Sequence, residues 1–103
     1  MSKKRRKLNK DFEKKIYSSK KNVELVLAKI YDIDDEDIQK EYMSAFNKVV
    51  NLYDELKEDY AKQGFNDNSE ELLINYKNAF NLFESEFEIW ILIISYKVLQ
   101  VLQ

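Results

Sequence analysis

The sequence predicts an all-α protein: an antiparallel bundle of three long helices over approximately residues 3–31, 35–63 and 69–101, with oligomerisation able to complete it. Three observations carry that expectation. Proline is absent and glycine occurs once, at Gly64, whereas sheets and barrels need many turn residues. Apolar residues return every third or fourth position through three segments, the period of a helix buried on one side. Two short polar stretches, around Asp34 and Asn66, interrupt that period, and connections so short fold successive helices back on one another. With 103 residues, 45% hydrophobic and 35% charged, the chain suits one core. It reads as a single domain over 1–103, with a basic arm at 1–10 extending the first helix.

In the first segment Leu8, Phe12, Ile16, Ser19, Val23, Val26 or Leu27, and Ile30 share one side, and lysines crowd the other. Ser2 or Asn9 can supply the starting cap, each having a short acceptor for unpaired N–H groups. Between Tyr31 and Asp37 the helix stops and restarts, with Asp34 as cap and Asp35, Glu36 and Asp37 opposing the positive helix end. That placement puts Ile33 and Ile38 at the positions of a hydrophobic staple. The second helix follows on Ile38, Tyr42, Ala45, Phe46, Val49, Leu52, Tyr53, Leu56 and Tyr60, and Gly64 is placed to end it in a left-handed conformation.

After Phe65-Asn66-Asp67-Asn68, the pair Asn68 and Glu71 has the spacing of a capping box. The third helix then carries a main stripe of Leu73, Tyr76, Phe80, Phe83, Phe87, Trp90, Ile94 and Val101, flanked by Leu72, Ala79, Leu82, Ile89 and Ile93. From Ile89 onward it is apolar nearly all round. A buried strand would also accommodate Ile89 to Ile94. No partner strand is evident, and an unpaired strand strands its backbone polar groups, so helix is preferred.

The chemistry available is narrow. Neither histidine nor cysteine is present, which removes the commonest general base, the commonest metal ligand and the most reactive nucleophile. Glu84, Glu86 and Glu88 read as a solvated face, since helical di-iron sites need a Glu-x-x-His pattern. The acidic run Asp32 to Asp37 fails the calcium-loop template, which wants glycine where Asp37 stands and glutamate where Met43 stands. One glycine cannot build a phosphate-binding loop. An enzyme is not expected, nor a cofactor or a metal site.

Charge is more informative. Residues 1–21 hold ten basic side chains against Asp11 and Glu13, a balance of +8, while the other seven basic and seventeen acidic residues leave −10. Such asymmetry suggests a polyanion-binding arm on an acidic body, with Lys3, Lys4, Arg5, Arg6, Lys7, Lys10 and Lys14 as its residues. The bland alternative is that these cations pair with acidic faces of their own neighbours or serve solubility. The seven tyrosines are expected mainly to pack against the apolar stripes, ring inside and hydroxyl wet.

A second surface is implied at the other terminus. Trp90, Ile91, Ile93, Ile94, Val98, Val101 and Leu102 are more apolar surface than two neighbouring helices can cover, and apolar patches of that size are seldom left bare. The leading expectation is therefore a non-enzymatic interaction or regulatory protein that binds a protein partner or itself through the apolar end of the third helix. By composition, an inhibitor or adaptor from a low-GC bacterium, plasmid or phage fits. The alternatives are a nucleic-acid-binding accessory protein that uses the basic helix, and an immunity-type or peripheral membrane protein. The apolar run Ile89–Leu102 falls short of the roughly 20 residues of a transmembrane span. No apolar core follows the basic terminus as a secretory signal requires, so a cytoplasmic location is expected.

Overall fold

The computed structural model describes the backbone of residues 3–102 and the side chains of residues 6–87. The expected bundle is what forms: α1 spans Lys3–Tyr31, α2 Glu36–Gln63 and α3 Ser69–Leu102. The molecule is a rod measuring 62 × 23 × 18 Å. The middle helix holds the bundle together, packing on α1 along one side and more extensively on α3 along the other.

The core follows the 3–4 spacing closely. Phe12, Val23, Val26 and Ile30 of α1, Phe46, Val49, Tyr53 and Leu56 of α2, and Leu73, Tyr76, Phe80, Phe83 and Phe87 of α3 form one buried cluster. Aromatic rings dominate the α2–α3 seam: Phe46 lies 4.8 Å from Phe83, and Tyr42 packs edge-on at 5.0 Å from Phe87. The stripes stop short at their edges. Leu8, at the start of the α1 stripe, is 40% exposed, and Leu82, on the flank of the α3 stripe, is 66% exposed.

The helix ends correct five details of the sequence reading. Asp35, and not Asp34, caps α2, its Oδ1 accepting from the N–H groups of Asp37 at 2.9 Å and Ile38 at 3.1 Å. This one-residue shift moves Ile38 out of the staple position and places Gln39 in the first turn facing the end of α1, where its side-chain amide donates to the carbonyls of Ile30 and Tyr31. The Tyr31 carbonyl is one that a helix end leaves without a helical partner, and that of Ile30 also accepts from the Ile33 N–H at 3.1 Å. Asn9 is no starting cap. It sits within α1, its Oδ1 accepts from the Phe65 N–H at 2.9 Å, and its own carbonyl accepts from the Tyr60 hydroxyl.

Gly64 closes α2 with its N–H on the Tyr60 carbonyl, but φ 66° and ψ −162° take it outside the left-handed helical well. The turn into α3 is built by Asn66 and Ser69 instead of an Asn68–Glu71 box. Ser69, completely buried, accepts from the Asn66 N–H, and Asn66 Oδ1 accepts from the Asn68 N–H.

Candidate functional site

Two parts of the rod stand out once the core is accounted for. The first is the outer face of α1. Stepping by four, three, four, three and four residues from Lys3 gives Lys7, Lys10, Lys14, Tyr17 and Lys21, so these positions fall in a single row along the helix, opposite Phe12 and Val23. Lys7, Lys10, Lys14, Tyr17 and Lys21 are all exposed.

The row is not neutralised from within. Among the described residues the ion pairs are Lys20–Glu24 and Lys57–Asp54, each inside one helix and well exposed, a kind that contributes at most a few tenths of a kcal/mol. No ion pair joins α1 to the acidic faces of α2 or α3 among the described residues. Of the three acids of α1, Glu13 with Lys10, Lys14, Tyr17 and Ser18 encloses a shallow hollow, Asp11 lies on the other flank, and Glu24, paired with Lys20, follows Lys21 by three residues. Tyr17 is 59% exposed, and the Lys21 ammonium rests 4.9 Å from its ring centre.

Of the cations named from the sequence, Lys7, Lys10 and Lys14 share this row, and Arg6 is exposed beside it. Lys3, Lys4 and Arg5 lie outside the described side chains. Lys21, one of the ten basic residues of 1–21, continues the row, and so does Tyr17, which stands 59% exposed instead of packing as expected of the tyrosines, as does Tyr31 at 66%.

The second part is the far end of α3. Tyr42 of α2 stands against Phe87, and α2 begins six residues earlier, at Glu36. Counted antiparallel, α2 reaches α3 near position 93. Tyr31, where α1 ends, is held at the level of Gln39, so α1 stops earlier, near position 90. The last nine residues of α3, 94–102, thus continue about 13 Å beyond both neighbours at 1.5 Å per residue. The side chains of Trp90, Ile91, Ile93, Ile94, Val98, Val101 and Leu102 lie outside the described residues. Among the described residues no helix is long and apolar enough to cross a membrane.

Between α1 and α3 runs a polar groove lined by Ser19, Asn22, Tyr76, Lys77, Phe80, Asn81 and Glu84. It exists because the two helix backbones do not approach each other closely, and Tyr76 spans the gap by donating its hydroxyl to the Ser19 carbonyl at 3.3 Å. The Ser19 hydroxyl meanwhile donates back to the Lys15 carbonyl. No group of three or more acidic side chains arranged for a metal ion occurs among the described residues. In the acidic run, Asp35 is committed to capping α2.

Four packed tyrosines give the molecule an alkaline limit. Burial pushes the hydroxyls of Tyr42, Tyr53, Tyr60 and Tyr76 above their ordinary value of 10.0, and nearby carboxylates such as Glu41, Asp54 and Glu13 add to the effect at the first three. An acid whose folded pKa is raised favours the folded state while protonated. The contribution is complete below pH 10.0 and is lost as pH climbs through the raised values. Thermal unfolding followed by circular dichroism should therefore show a melting temperature that falls steeply only above pH 10.0, together with tyrosinate absorbance. A melting temperature unchanged through that range would contradict it.

No family model, no curated protein and no solved structure matches this chain.

Proposed function

We propose that the chain is a non-enzymatic interaction protein whose contact surface is the projecting end of α3, with a second copy of itself as the simplest occupant. The supporting observation is a mismatch between stripe and neighbours. The 3–4 sequence that buries Phe80, Phe83 and Phe87 against α2 runs on through Trp90, Ile94 and Val101, interrupted at Lys97, while α2 stops near position 93 and α1 near position 90. Between Ile89 and Leu102 there is no acidic residue and one cation, Lys97, so closing this surface against another apolar face desolvates little charge. Two such ends laid antiparallel would cover each other through one self-complementary patch, the arrangement of a two-fold dimer.

Sedimentation of the full chain over a range of concentrations tests the reading. The expected result is a dimer that a Val98→Lys, Val101→Lys double variant converts to monomer while retaining its helical circular dichroism. A full chain that stays monomeric at every concentration would exclude self-association, leaving a different protein as the occupant of the projecting end.

A further inference from the structure

We infer that the outer face of α1 is a binding surface for single-stranded nucleic acid, with Lys7, Lys10, Lys14 and Lys21 contacting successive phosphates and Tyr17 stacking on a base between them. Among the described residues, Lys7, Lys10, Lys14 and Lys21 are exposed along one face of the helix and make no ion pair that must break before a ligand is engaged, with Glu13 beside the row and Glu24 beyond its end. Lysines freed from internal pairs bind phosphates by releasing the counterions condensed on the strand, which is favourable at low salt and independent of sequence. The rest of the chain carries a balance of −10 and repels a polyanion, so α1 is the one side from which a strand can approach.

The geometry favours a single strand over two other polyanions. A straight helix meets only a short arc of duplex backbone, whose phosphates wind away from it, whereas a flexible strand can straighten to follow the whole row. A lipid surface would be gripped by amphipathic insertion, but the apolar side of α1 is spent on the core through Phe12, Val23, Val26 and Ile30. Tyr17 adds an aromatic ring, 59% exposed, between Lys14 and Lys21, and the stacked bases of a duplex offer such a ring no free face. Alternation of cations with an exposed ring is how non-specific single-strand binders hold their ligand, since every base offers a face to stack on.

Fluorescence anisotropy with a labelled oligothymidylate of about 16 nucleotides, titrated at several salt concentrations, tests this. Duplex of equal length and anionic phosphatidylserine vesicles serve as competing probes. The full chain should bind the single strand most tightly, with affinity falling steeply as salt rises. A Lys10→Gln, Lys14→Gln variant should lose roughly 10- to 30-fold in affinity at about 0.1 M salt, and its logarithmic salt slope should shrink by about 1.4, some 0.7 for each cation removed. Tyr17→Ala should weaken binding roughly 5- to 150-fold and leave the slope unchanged. Both variants alter exposed side chains, so their circular dichroism should match the parent. No binding to the oligothymidylate at low salt would overturn the inference, as would equal or tighter binding of duplex or vesicles, or a Tyr17→Ala protein that binds as the parent does. These variants leave α3 untouched, so the result is independent of whether the projecting end pairs.

Discussion

Replacing Phe46 by alanine should remove about 3–5 kcal/mol of folding stability, the range for deleting a fully buried phenylalanine. Phe46 has no exposed surface and sits at the middle of the α2–α3 seam, 4.8 Å from the ring of Phe83 and 6.3 Å from that of Phe80. The loss combines the transfer of the ring from water with the cavity it leaves. That cavity is flanked by rings already fixed by other partners: Phe83 stacks on Phe87, and Phe80 contacts Tyr76. They cannot collapse inward without giving up those contacts. Since a domain of this size has a net stability of about 5–15 kcal/mol, the variant should melt roughly 20 °C lower, at about 5 °C for each kcal/mol. Differential scanning calorimetry decides it, and a drop of only a few degrees would mean that the seam repacks freely.

The second large effect is expected at Gly64→Ala, for a reason the contacts do not reveal. A β-carbon there would find room, its nearest neighbour being Asn9 Oδ1 at an ordinary 3.4 Å. What it could not accept is the backbone, because φ 66° with ψ −162° belongs to a region that is essentially glycine's alone. Either alanine is held there at about 1–3 kcal/mol of strain, or the turn changes and withdraws the Phe65 N–H from Asn9. Urea unfolding should show the midpoint falling with an unchanged slope. D-alanine at the same position, introduced by chemical synthesis, should be tolerated, since its mirror-image stereochemistry favours positive φ. Equal loss with both stereoisomers would point to crowding instead of conformation.

How much of this was legible in the sequence depends on the range over which each feature is decided. Helix number, boundaries within a residue or two and the buried stripes are written in local periodicity, and Phe12, Phe46 and Phe83 are buried as their spacing requires. The ends are less transparent, because a cap is chosen among neighbours of similar chemistry: Asp34 and Asp35 are both competent acceptors, and only the path of the chain out of α1 selects Asp35. Contacts between distant positions were not legible at all. Nothing near Asn9 announces that its amide serves Phe65, a partner 56 residues away, nor does Gln39 advertise that it closes the end of another helix. The basic face was visible as a density of charge, but whether acidic neighbours neutralise it is a question of helix placement. The fold turns the row in α1 outward instead of against them.

The polar bonds of α1 have a further consequence. A helix held only by a stripe such as Phe12, Val23, Val26 and Ile30 has alternative alignments one helical turn away, where apolar side chain meets apolar side chain almost as well. Oil alone discriminates poorly among such slipped arrangements. Asn9 on Phe65, Ser19 with Tyr76, and Gln39 on Ile30 mark the beginning, middle and end of α1, and sliding by a turn breaks all three at once. They act as the notches of a vernier, adding little to total adhesion while selecting one alignment from several of nearly equal grease.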